Sequence, residues 1–122
     1  MTVPSVSRAR AHALVAAGSA AGAVLRVLAG WAASPLLGDA WSTVLVNVLG
    51  CFAIGAVAAM PALARWWPLV GPGLLGGFTT FSAFIVLLDG ASPREAAILV
   101  VVTLVACPVA ALLGERTVTR AR

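Results

Sequence analysis

The sequence is poor in charge. Asp, Glu, Lys and Arg make up 10% of its 122 residues, against about a quarter in a soluble domain. Hydrophobic residues reach 61%, and the mean hydropathy is +1.06. Such a chain is too apolar for a disordered protein and has too little polar surface to clothe a soluble one. Acidic residues are scarcer still. Asp39, Asp89, Glu95 and Glu115 are the four, and each falls at the end of an apolar stretch. The interior of those stretches holds no carboxylate, which argues against a proton-coupled drug or cation exporter. The one histidine, His12, precedes the first stretch. There is no Ser/His/Asp arrangement, no His/Cys cluster with metal-ligand spacing and no phosphate-binding loop, so the chain does not read as an enzyme. Cys51 and Cys107 both sit inside apolar runs and read as small buried hydrophobes rather than a disulfide.

Four apolar stretches remain, at about 13–33, 41–60, 69–88 and 96–114. Each has the ~20 residues that a helix needs to cross the hydrocarbon. In lipid the backbone must satisfy itself, so the spans are helices. The sequence predicts an all-α integral membrane protein forming one four-helix transmembrane domain over 1–122. The connections, 34–39, 61–68 and 89–95, are short enough to make neighbouring spans antiparallel. The first stretch is longer than a signal-peptide core and carries Arg26, so it is expected to be retained rather than cleaved.

The net charge of +4 and the isoelectric point near 11.2 do not indicate nucleic acid, because the arginines cluster at span ends. With a cytoplasmic N-terminus, Arg8, Arg10, Arg65, Arg116, Arg120 and Arg122 lie inside, and Arg94 alone lies outside. This bias predicts both termini in the cytoplasm. Trp31 and Trp41 at one face, and Trp66 and Trp67 at the other, read as interfacial anchors.

Several motifs separate packing from chemistry. Gly71-Pro72-Gly73-Leu74-Leu75-Gly76 spells a dinucleotide fingerprint, but inside a membrane span it lacks the strand and helix that such a site needs. Gly18 and Gly22 are one turn apart and predict close helix packing. The third span holds Gly76-Gly77-Phe78-Thr79-Thr80-Phe81-Ser82-Ala83-Phe84. Paired glycines followed by hydroxyl residues predict a helix break around 76–80. Carbonyls freed at such a break can hold a small hard cation. Thr43 and Asn47 put a polar stripe on the second span, suited either to interhelical hydrogen bonds or to donation toward a permeant anion. Thr103 and Cys107 make a weaker stripe on the fourth. Arg26 is the one charge within a span and is either a snorkelling side chain or a functional one.

The third-span run, with Gly22-Ala23-x-x-Arg26 and Val46-Asn47-Val48-Leu49-Gly50 before it, resembles the Fluc (CrcB) fluoride channels over essentially the whole chain. The resemblance implies a passive fluoride channel in the cell membrane that confers fluoride resistance. It also implies an antiparallel dimer with two pores. A structural sodium ion at the dimer centre would be held by backbone carbonyls, here those of Gly76 and Thr79. By position, Phe81, Phe84, Asn47 and Arg26 match the family's pore residues, with Thr43 and Ser82 as polar neighbours. Phe78 falls at a more variable position. Two features depart from the pattern. Many members carry a fourth-helix Tyr beside the pore, and this chain has no Tyr. The arginine bias argues for one fixed orientation, so the expected partner is an oppositely inserted homologue rather than a second copy. A non-conducting partner subunit is the remaining alternative.

Overall fold

The computed structural model describes residues 7–121, and Arg122 of the charge count lies outside them. Among the described residues, four helices are long and apolar enough to cross a membrane. Helix α1 is Arg8–Leu37 and α2 is Asp39–Ala58. The third span, α3, is Leu69–Asp89, and α4 is Pro93–Arg120. Two of the N-termini carry side-chain caps. Ser7 accepts from the Arg10 N–H and Ser92 from the Glu95 N–H, with Pro93 opening α4. Both are helix-start chemistry that satisfies amides without an intrahelical partner.

The connections are tighter than the sequence suggests. Ser34 and Pro35, expected in a loop, lie inside α1, and Gly38 alone separates α1 from α2. Proline costs a helix one hydrogen bond, and here the helix ends within two residues of it. Gly38 turns the chain at φ 77°, the one positive φ among the described residues, a conformation that glycine adopts without a Cβ clash. Ser34 donates to the Asp39 carboxylate across the turn. The second connection contains a 3₁₀ helix, Pro61–Trp66, where Arg65 stacks over the Trp66 ring at 5.6 Å.

Backbones approach closely in two pairs. A Cβ on Gly18 would meet the Leu69 carbonyl, one on Gly22 the Leu74 carbonyl, and one on Gly77 the Ser19 carbonyl. Glycines therefore let α1 lie directly on the first arm of α3, as the Gly18/Gly22 spacing predicts. On the other side, Gly55 faces the Ala111 carbonyl and Gly114 faces the Phe52 carbonyl, joining α2 to α4. Val44 clusters with Leu99 at the start of both helices and Gly55 meets Ala111 further along both, so α2 and α4 run parallel. Val44, Phe84 and Leu99 form the core between α2, α3 and α4, flanked by Val48 and Leu88. Much of the remaining apolar surface, including Val24, Leu28, Val101, Leu104 and Val105, faces outward, as lipid requires.

The first arm of α3 is irregular. Leu69–Leu75 has wide π-helical turns around Pro72, and Gly76–Phe78 returns to α geometry. A proline inside a helix removes one donor, and a π turn is one way to absorb it. Thr79 then turns extended, at φ −81° and ψ 152°. The second arm, Ser82–Asp89, restarts after Phe81. The non-helical residues are thus 79–81. Gly76 and Gly77 lie on their helical side, where Gly77 serves the contact with α1.

Candidate functional site

Backbone hydrogen bonding fails at the centre of α3, and side chains take it over. The Thr80 N–H donates to Asn47 Oδ1 and the Asn47 Nδ2 donates to Thr80 O, both at 2.8 Å. The Ala83 N–H donates to Thr80 Oγ1 at 3.2 Å, capping the second arm. In an unbroken helix those two amides would serve Gly76 O and Thr79 O. Both carbonyls therefore lose their helical donors. Gly76 is exposed, and a Cβ there would meet nothing nearer than Gly71 O at 3.8 Å. Two carbonyl oxygens without their helical donors, one of them on exposed Gly76, suit a hard cation, which prefers oxygen ligands.

Three cavities meet along this region. The first, about 470 Å³, is lined by Asn47, Cys51, Gly76, Phe81, Thr103 and Cys107, with Thr79 and Thr80 at its wall. The second, about 160 Å³, is lined by Arg26, Thr43, Val46, Thr80 and Ala83. The third, about 440 Å³, includes Trp31, Ser34, Asp39, Thr43 and Ala83. Thr80 borders the first two, and Thr43 and Ala83 border the last two. The series leads from the α1–α2 turn, past the break, to Cys107 and Pro108 on α4.

The sequence-derived residues divide along this line. Asn47, Gly76, Thr79 and Phe81 share the first cavity, and Arg26 and Thr43 share the second. Phe81 is 72% exposed and Phe84 only 4%. Phe84 packs in the core with Val44 and Leu99, its ring centroid 6.3 Å from that of Phe81. Ser82 is exposed and lies 3.4 Å from Thr80 Oγ1. The Thr43 hydroxyl donates to Asp39 O at 2.9 Å. Sequence reasoning passed over Thr80, which both braces the break and borders two cavities. The signal was its place in a run of hydroxyl residues one span away from a mid-membrane Asn.

Donors are left over along the cavities. Among the described residues, Arg26 Nε and Thr103 Oγ1 are buried with no hydrogen-bond partner. Asn47 Nδ2 carries two hydrogens, and Thr80 O takes one. Buried polar groups are nearly always satisfied, so unspent donors point to a bound acceptor.

A family model described as CrcB-like protein, Camphor Resistance (CrcB), matches residues 13–115. The chain belongs to the CrcB family. Among CrcB relatives, the fluoride-specific ion channel FluC of Erythrobacter litoralis is 37% identical over 122 residues, covering 87% of this chain and 89% of its own. That of Shewanella amazonensis is 36% identical over 114 residues, covering 85% and 92%. FluC 1 of Thermobifida fusca is 48% identical over 73 residues, covering 58% of this chain and 61% of its own. The matched CrcB region contains every residue of the broken span and of the cavities. With its four spans, this CrcB chain is a multi-pass membrane protein.

Proposed function

We propose that the chain is a fluoride-selective channel subunit of the cell membrane, a passive conductor and not an enzyme. The observation that carries this reading is the set of unspent donors on the cavities: Arg26 Nε, Thr103 Oγ1 and the second Asn47 Nδ2 hydrogen. A small, strongly hydrated anion needs donors that replace its water. The printed names of the relatives support fluoride as that anion. Phe81 borders the first cavity, where the positive edge of its ring can face an anion. Phe84 stands behind it as packing. Arg26 raises the local anion concentration at the second cavity.

The chain works as an antiparallel dimer in this reading. The Gly76 and Thr79 carbonyls hold a structural sodium ion that supplies charge to knit the two broken helices together. Support comes from their loss of helical donors and from the open face at Gly76. The arginine bias favours termini in the cytoplasm and an oppositely inserted homologue as partner. A silent subunit within such a pair is the second reading, favoured by an α4 wall with Thr103 as its one hydroxyl on the first cavity.

Fluoride efflux from liposomes holding the purified chain alone, with chloride as control, tests the proposal. Rapid fluoride release without chloride release establishes a self-pairing channel and removes the need for a homologue. No release from the chain alone, but release on co-expression with a homologue, establishes the heterodimer. No release in either case overturns the channel reading.

A further inference from the structure

Cys51 and Cys107 belong to no part of the proposed conduction chemistry, yet the fold brings them together. Gly55 faces Ala111 where α2 and α4 touch. One turn earlier on each helix stand Cys51 and Cys107, and a further turn earlier stand Asn47 and Thr103. The i, i+4 spacing keeps each set on one helix face, and parallel helices keep the pairs in register. All four residues line the first cavity. The two thiols are free and half-buried.

From the register of α2 and α4 and the shared cavity, we infer that Cys51 and Cys107 form a two-thiol site that takes one mercuric ion per chain. Ligand number and charge select the ion. Among the described residues no group of three or more His, Cys, Asp or Glu is placed to hold a metal, so the four donors of a zinc site are missing. Two thiolates suit a soft ion content with two ligands. Taken from mercuric chloride, binding breaks two S–H and two Hg–Cl bonds, forms two S–Hg bonds and releases two protons and two chloride ions to water. The product is neutral. A monovalent soft ion held by two thiolates would leave a net negative charge in an apolar wall, which is costly. Mercuric chloride, itself neutral, reaches the thiols through the open side of the cavity.

The test uses the full chain in detergent, titrated with mercuric chloride against a competing monothiol. Free-thiol counting and intact mass read the result without reference to ion conduction. The expected result is one mercury per chain with both thiols lost and two hydrogens displaced. Cys51→Ala and Cys107→Ala should each surrender mercury to the monothiol at about a hundredfold lower competitor, because one thiol lacks the chelate effect. Cys51→Ser and Cys107→Ser repeat the comparison with a polar side chain should either Ala variant fold poorly. Two mercury ions per chain, single variants that hold mercury as tightly as the parent, or mercury-bridged chains on a denaturing gel would each overturn the site.

Discussion

Asn47 on α2 and Thr80 in the gap of α3 exchange two hydrogen bonds, amide to carbonyl in both directions, each 2.8 Å long. One side chain thereby replaces the helical partners of a residue in mid-membrane. Asn47→Leu would strand a backbone donor and a backbone acceptor, at about 1–3 kcal/mol each. The expected outcome is a lower melting temperature, followed by tryptophan fluorescence, together with loss of fluoride efflux. Asn47→Asp keeps an acceptor for the Thr80 N–H but no donor for Thr80 O, and should also fail to conduct. A Leu variant that melts and conducts like the parent would show that the break stands without Asn47.

Phe81 and Phe84 are three residues apart and have opposite surroundings. Phe84→Ala empties a core site beside Val44 and Leu99 and should cost about 3–5 kcal/mol. Phe81, with 72% of its surface exposed in the single chain, should tolerate Phe81→Ile with little change in unfolding. If its ring edge faces the permeant ion, efflux nevertheless falls by at least about tenfold. Equal stability losses in both variants would contradict this division. Unchanged efflux in Phe81→Ile would make its ring mere packing.

Hydropathy made the four spans legible, because crossing lipid requires length and apolarity and little else. The Gly18/Gly22 spacing likewise disclosed a helix contact. What stayed hidden depends on register. Gly76 and Gly77 look alike in the sequence, but Gly77 lies against Ser19 while Gly76 opens on a cavity. Asn47 could be read as a helix-pairing residue or as an ion donor. The structure has it bonded to Thr80, with one Nδ2 hydrogen left over, so the two readings are compatible. Pro35 signalled a loop, yet α1 runs past it, because a proline near the end of a helix sacrifices one bond in a turn that was about to end.

The glycines give a graded test of backbone contact. Gly22→Ala and Gly77→Ala would drive a methyl into a carbonyl of the facing helix, and overpacking of this kind costs about 1–3 kcal/mol. Gly30→Ala meets nothing within 4 Å, and in a helix interior should stabilise by up to about 1 kcal/mol. Thermal unfolding of the three purified variants checks the order. A Gly30→Ala variant as damaged as Gly22→Ala would refute the contact geometry.

Arg26 brings its charge to the second cavity with Nε unpartnered. Arg26→Gln keeps a donor but removes the charge. Efflux should fall several-fold at low fluoride and approach the parent at high fluoride, since the charge concentrates the ion rather than forming the path. Raising the ionic strength with an impermeant salt should shrink the difference, because screening removes the same advantage. A deficit that persists unchanged at saturating fluoride and high salt would instead mark Arg26 as part of the narrow path.

Thr103 offers the sharpest separation of stability from conduction. Its hydroxyl is buried without a partner, on the cavity wall it shares with Asn47. An unsatisfied buried hydroxyl costs about 1–3 kcal/mol. Thr103→Val keeps the shape and removes the hydroxyl, so the variant should be as stable as the parent or more stable. If the hydroxyl is held for a passing anion, the same variant should lose efflux by several-fold. The two readouts then move in opposite directions, which a purely structural role for Thr103 cannot produce. A valine variant that gains stability and conducts fully would remove Thr103 from the path.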